Sequence, residues 1–181
     1  MGMTAAVNFA SLDGLLARMG DAVGEAVRPA AQAAAQVFYD QVKENVSRIG
    51  TKSGNLRDSI YQKFVPEMSV DGKKAVYRIS WNYKKAPHGN LIEWGHFVRY
   101  KYYVTKDGIY RPMVRPERQG DPKPSRRASQ AVKDAYYVPL AAPFRTTAYR
   151  FVQNAIARVP EARLAAIAEI QRRINDRMEG R

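Results

Sequence analysis

Ser53-Gly54-Asn55-Leu56-Arg57-Asp58-Ser59-Ile60 is the stretch on which the fold turns. Before it, apolar residues recur at intervals of three and four; after it, they recur at intervals of two. Gly54 and Asn55 both tolerate a left-handed backbone and so mark a turn. Leu56 then plugs the core, and Ser59 opens a strand. Gly54 is too isolated a glycine to cradle phosphate, so the segment reads as structural.

Upstream, residues 9–49 read as helix. Leu12, Leu15, Leu16, Met19, Val23 and Val27 share one face, and Ala30, Ala34, Phe38, Val42 and Val46 continue it. Pro29 predicts a kink or a split into two helices, and Gly50 predicts the C-terminal stop. The alanine-rich face suits close approach to another helix or to a neighbouring subunit.

Downstream, Ile60, Phe64 and Met68 share an extended register, Pro66 marks an edge, and Asp71-Gly72 signals a hairpin. Tyr77, Ile79, Trp81 and Tyr83 alternate with polar residues as a second strand. A helical turn over Asn90 to Trp94 follows. Val98 to Val104 predicts a third strand, and Ile109 to Val114, after Asp107-Gly108, a fourth. The alternation Val98/Tyr100/Tyr102 points the tyrosines inward. Residues 111–127, rich in proline and arginine, read as a loop or arm, and Ala128 to Tyr136 as a short helix. From Phe144 the spacing Phe144, Ala148, Phe151, Ala155, Val159 predicts a helical face, kinked near Pro160. Leu164, Ile167, Ile170, Ile174 and Met178 extend the stripe along a helix that projects over residues 161–181. The fold class is therefore α+β: a long N-terminal helix, a small antiparallel sheet of three to four strands, and a long C-terminal helix. Length suits a single domain over residues 1–181, with a basic arm at about 97–137.

The chain has 181 residues, no cysteine and a formal net charge of +13. Disulfides and thiolate metal sites are excluded. No stretch is long and apolar enough to span a bilayer, and the N-terminus lacks a signal-peptide pattern, so synthesis in a cytoplasm is expected. The charge calls for a polyanion, and it is clustered. Arg99, Lys101, Lys106, Arg111, Arg115, Arg118, Lys123, Arg126 and Arg127 face only three Asp/Glu in the same stretch. Phosphate binding by such residues is weakly sequence-selective and salt-sensitive, and the nearby tyrosines either stack on bases or fill the core.

Catalytic patterns are weak. His88, Glu93 and His96 include zinc-ligand types, but the spacing is not His-Glu-x-x-His and no third histidine is near. Glu93, between Ile92 and Trp94, is a carboxylate in an apolar stretch that needs a partner, with Arg57, Arg78 and Arg145 as candidates and Arg57 preferred. No nucleophile elbow, Walker loop or dinucleotide glycine pattern occurs. The expectation is no enzyme and no cofactor.

Three motifs in order carry a resemblance: Gly54-x-Leu56-Arg57-x-Ser59-Ile60, then Glu93-Trp94-Gly95, then Ala142-Pro143-Phe144-Arg145. With a long helix on either side, the chain resembles the head–tail joining proteins of long-tailed bacteriophages, over roughly residues 10–95 and 138–160. The resemblance implies that Gly54, Leu56, Arg57, Ser59, Ile60, Glu93, Gly95, Pro143 and Phe144 are structural. It also implies that the third motif opens the last helix. By it, the protein is a virion part of the head–tail junction that assembles with copies of itself as a ring, a hexamer being one option. The ring would contact neck, connector and tail-tube proteins, with genomic duplex passing through its channel without sequence readout and no membrane involved. Tail termination is the alternative role within the class. A free DNA-binding protein and a metal-dependent nuclease are the alternatives outside it. Two departures stand out: Trp94 replaces the usual Phe or Tyr, and the insert 97–137 is longer and more basic than the resemblance implies.

Overall fold

The computed structural model describes residues 10–50 and 54–179, with side chains from residue 19 onward. Leu12, Leu15, Leu16 and Ser53 thus lie outside the described side chains. The class is α+β, as expected, with long helices near both ends of the chain and small antiparallel ladders between them. The chain forms two compact units, one of residues 1–89 and 150–181, the other of residues 90–149.

The first unit is built on α1 (Ala10–Arg48), 39 residues long and about 58 Å at 1.5 Å per residue. It runs through Pro29 unbroken, so the predicted split does not occur. Proline removes one backbone bond and crowds the preceding turn. Strong helix formers from Ala30 onward and burial of Ala26 and Ala30 on either side offset that loss. The helix stops where expected, with Gly50 at φ 86°. Ala30, Val42 and Val46 are buried as the periodicity predicts. Met19 and Val23 are instead exposed, and Ala22 and Ala26 take the interior. The face chosen is the one that lets another backbone come close.

After α1 comes the short helix α2 (Asn55–Asp58), whose N-terminus is set by Gly54 at φ 74°. Leu56 is buried, and the buried Ser59 hydroxyl donates to the Leu56 carbonyl at 2.8 Å. That bond turns the chain into β1 (Ile60–Phe64), which pairs antiparallel with β2 (Tyr77–Trp81), Ile60 opposite Trp81 and Phe64 opposite Tyr77. The strand expected to reach Met68 ends at Phe64, because Pro66 starts a 3-10 turn. Arg28 of α1 lies 4.4 Å over the Phe64 ring, holding the ladder to the helix.

The chain re-enters this unit at Phe151, which is fully buried, meets Trp81 edge-on at 5.4 Å, and whose carbonyl accepts from Asn45 of α1 at 2.8 Å. A 3-10 segment over residues 153–158 leads into the C-terminal helix Val159–Met178. Pro160 occupies the first turn of that helix, where a missing N–H costs nothing, so it starts the helix and does not kink it. The helix runs antiparallel to α1: Arg158 donates to Gln41 at 2.5 Å near one end, and Arg177 lies 3.7 Å from Glu25 near the other.

The second unit holds α3 (Gly89–Trp94), β3 (Phe97–Tyr100), β4 (Tyr102–Val104), β5 (Tyr110–Pro112), α4 (Gln130–Tyr136) and β6 (Pro139–Arg145). The C-terminal helix of the first unit is therefore α5. The expected sheet of three to four strands resolves into separate pairs: β1–β2, β3–β6 and the β4–β5 hairpin. The predicted third strand breaks at Lys101. Lys101 N–H bonds the Val138 carbonyl while its own carbonyl takes Met113 N–H, so the chain changes partners there. Residues 144–152 are not helical, and 153–158 form only the 3-10 segment, so the expected α-helical face does not begin until Val159. Pro139 and Pro143 lack N–H donors and favour an extended edge strand, and Phe144 pairs with Val98.

Two outcomes follow for the first unit. Leu56→Ala leaves a cavity and should cost about 2–5 kcal/mol in chemical denaturation. Glu169, between Arg172 and Arg173 on α5, has its carboxyl held down to about 2, chiefly by the Arg172 hydrogen bond and then by Arg173. A lowered folded value means that its contribution is present above the ordinary carboxylate range and is lost as pH falls toward 2. Carboxyl NMR should show this titration, and Arg172→Ala should move it upward.

Candidate functional site

The second unit brings the second and third motifs together. Glu93, on α3, is buried, while Trp94 beside it is exposed. Gly95 adopts φ +68°, and a Cβ there would sit 2.5 Å from the Thr146 carbonyl oxygen. Only glycine meets both demands, which is the physical content of the Glu-Trp-Gly signal. Arg145 donates to the Trp94 carbonyl at 2.9 Å, and His96 N–H donates to the Thr146 hydroxyl at 2.9 Å. Tyr149 N–H reaches the Ile92 carbonyl at 3.0 Å. Pro143 and Phe144 are exposed on β6, so this motif closes over α3 through backbone contacts and does not fill a core.

The first motif belongs to the other unit, where Leu56, Ser59 and Ile60 are buried and Arg57 is exposed, as is Arg78. Of the candidates for Glu93, Arg145 is the one in the same unit, bonded at the neighbouring residue. The His96 ring nitrogen Nδ1 lies 3.1 Å from the Thr146 hydroxyl, and His88 is exposed. Among the described residues, no three His, Asp or Glu side chains gather as metal ligands would. No described helix is long and apolar enough to cross a membrane.

The basic arm divides by geometry. Arg115 sits 3.7 Å from Glu117, and its Nε donates to the Asp134 carbonyl at 3.1 Å. Arg118 pairs with Asp121 at 3.2 Å. Arg115 stitches the proline-rich loop to α4, and Arg118 closes a turn within the loop. The other seven, Arg99, Lys101, Lys106, Arg111, Lys123, Arg126 and Arg127, are exposed and make no ion pair among the described residues. The β4–β5 hairpin carries Lys106 and Arg111, with Lys101 at its base, and every residue of both strands is exposed.

The tyrosines are split by the same partner change at Lys101. Tyr100 is half-buried against Tyr137, with ring centroids 5.1 Å apart. Tyr102 is about half exposed, against the inward expectation, as are Tyr103 and Tyr110, and Tyr102 packs edge-on with Tyr110 at 5.4 Å. The hairpin thus presents aromatic rings among free cations.

A polar triad anchors this arm. The Tyr100 hydroxyl donates to Asp134 at 2.7 Å, and Gln130 bonds both at 2.7 Å. Burial, then the Asp134 contact, raises the Tyr100 phenol above its ordinary range. The Tyr100 hydrogen bond, then that of Gln130, lowers the Asp134 carboxyl. Burial also raises Tyr137.

Residues 11–98 match the sequence profile of the HK97-gp10-like family, described as "Bacteriophage HK97-gp10, putative tail-component". The matched stretch, just under half of the chain, contains the first two motifs and ends where the basic arm begins. It meets the phage resemblance that the motifs carried. No curated protein and no solved structure matches the chain.

Two predictions come from this geometry. Gly95→Ala combines a positive φ with a backbone clash and should destabilise by more than about 1 kcal/mol in thermal unfolding. Tyr100 should titrate above the ordinary tyrosine range in an ultraviolet pH titration. Because its folded value is raised, the contribution of its bond is present below the ordinary tyrosine value and lost as pH rises through the folded one. Asp134, lowered, contributes above the ordinary carboxylate range and loses this as pH falls. Tyr100→Phe should speed amide exchange over residues 130–137 at neutral pH.

Proposed function

We propose that the chain is a structural protein of the phage neck, acting in head–tail joining or tail completion. The observation that carries the reading is the match of residues 11–98 to a phage tail-component family. In this reading copies assemble as a ring in the virion, on neighbouring neck and tail-tube proteins, after synthesis in the host cytoplasm. The seven free Lys/Arg of the second unit face duplex DNA in the channel. Support comes from their exposure, from their excess over the carboxylates of the same stretch, and from a net charge of +13. Contacts of this kind hold the phosphate backbone without reading bases. Like-charged copies repel one another, so DNA or acidic neighbours would favour assembly. Nothing in the reading calls for catalysis: Glu93 is buried beside its motif partners, and His96 is engaged by Thr146.

The test is electron microscopy of lysates from a phage with a stop codon early in this gene. Full heads beside separate tails of normal length are expected. Full heads with overlong tails would assign tail termination instead, and intact infectious particles would overturn the virion role. DNA contact is checked separately. In duplex binding by the assembled protein, the triple change Lys101→Ala, Lys106→Ala, Arg111→Ala should reduce the salt slope by about three, near 0.9 per lost phosphate contact. An unchanged slope would remove the hairpin from the DNA path.

A further inference from the structure

α5 is built the wrong way round for a helix that serves one chain. The side toward α1 carries small residues: Ala162 is buried, and Ala165 and Ala166 are half-buried. The opposite side carries three large ones, with Leu164 66% exposed, Ile167 40% and Met178 43%, while Ile170 and Ile174 are half-buried. A helix that only had to pack on its own α1 would place them inward.

Five exposed residues and the half-buried Ile174 follow a pattern. Pro160, Leu164, Ile167, Gln171, Ile174 and Met178 are spaced four, three, four, three, four. That is a strict heptad seam, the geometry by which one helix receives another. In heptad terms, Leu164, Gln171 and Met178 are the a positions, and Pro160, Ile167 and Ile174 the d positions. The stripe runs the whole length of the helix.

We propose that this seam receives α5 of a second copy of the chain, parallel and in register. Gln171 argues for a second copy. A wholly apolar partner would bury its amide without a bond, whereas a second Gln171 at the same level can both donate and accept. Charge sets the direction. The flank of the seam carries Arg163, which makes no ion pair among the described residues, and Arg177, whose carboxylate partner, Glu25 of α1, lies at 3.7 Å with both side chains more than half exposed. An antiparallel pair overlapping along the whole seam would set Arg163 of one helix against Arg177 of the other. A parallel pair sets Arg163 against the neutral Ala168 of the second copy, and Ile170 against its Asn175. The contact is isologous, so it neither needs nor makes a ring and goes beyond the proposed function.

The absence of cysteine allows a direct test in the full chain. Leu164→Cys and Met178→Cys place thiols where identical residues meet, and a disulfide needs their Cα atoms within about 7 Å. Thr147→Cys, an exposed position in the second unit, reports random collision. Under copper–phenanthroline oxidation, Leu164→Cys and Met178→Cys should each form dimers many-fold faster than Thr147→Cys. Adding Ile167→Glu should abolish this with the circular dichroism spectrum unchanged. Mixing the two single-cysteine chains should give no 164-to-178 link. Linking no faster than Thr147→Cys, or a dominant 164-to-178 link, overturns the proposal. Light scattering on the same samples reads assembly size independently. Large assemblies without same-position links keep the ring and overturn the seam pairing. Same-position dimers without larger assemblies support the pairing while the ring reading fails.

Discussion

Alanine set against a neighbouring backbone along α1 is the constraint on which the first unit depends. Ala22, Ala26, Ala30 and Ala35 of α1 are buried, and on α5 Ala162 is buried with Ala165 and Ala166 half-buried. Small side chains let helices approach closely, and the gain is dispersion over many short contacts at little cost in rotamer entropy. The arrangement frees larger apolar residues from the interior. Met19 and Val23 on α1, and Leu164 and Ile167 on α5, are consequently left at the surface.

A long helix needs its ladder and its return segment held in place, and few side chains do this. Leu56 and Ser59 turn the chain off α1 into β1, and Phe151 brings it back beneath Trp81. Between those points the chain builds the second unit, where backbone and polar contacts take the place of a large core. Gly95 packs against Thr146, Arg145 caps Trp94, and Tyr100, Gln130 and Asp134 tie β3 to α4. Two-stranded ladders bury little on their own. The β4–β5 hairpin carries tyrosines and cations together, and every residue of its two strands is exposed. Of the nearby carboxylates, Glu117 and Asp121 lie against Arg115 and Arg118 and Asp134 holds Tyr100, which leaves the exposed Asp107 of the hairpin turn among the cations.

Much of this was legible residue by residue. The period change after Gly54, the stop at Gly50, the hairpin turns at Asp71-Gly72 and Asp107-Gly108, the helical turn before Gly95 and the helix ending at Tyr136 are all local signals with local causes. Where the reading failed, a non-local partner had decided. Phe144, Ala148 and Phe151 have helical spacing, yet Pro139 and Pro143 suit an edge strand, and β3 supplies the ladder. Val98 to Val104 alternates without interruption, but no single neighbour pairs with all of it, so the strand breaks at Lys101 and Tyr102 turns out to solvent.

What the sequence by itself determined is the class: helix, small antiparallel ladders, helix, with a basic, proline-broken arm and no cysteine chemistry. Periodicity, turn residues and charge are properties of short windows, and they survive any packing. What only the tertiary structure decided is which apolar face goes inside and which cations stay free. Both depend on partners distant in sequence. Alanines are chosen over Met19 and Leu164 because another backbone lies close, and Arg115 and Arg118 are withdrawn from the basic set because the folded loop brings carboxylates and a backbone carbonyl to them.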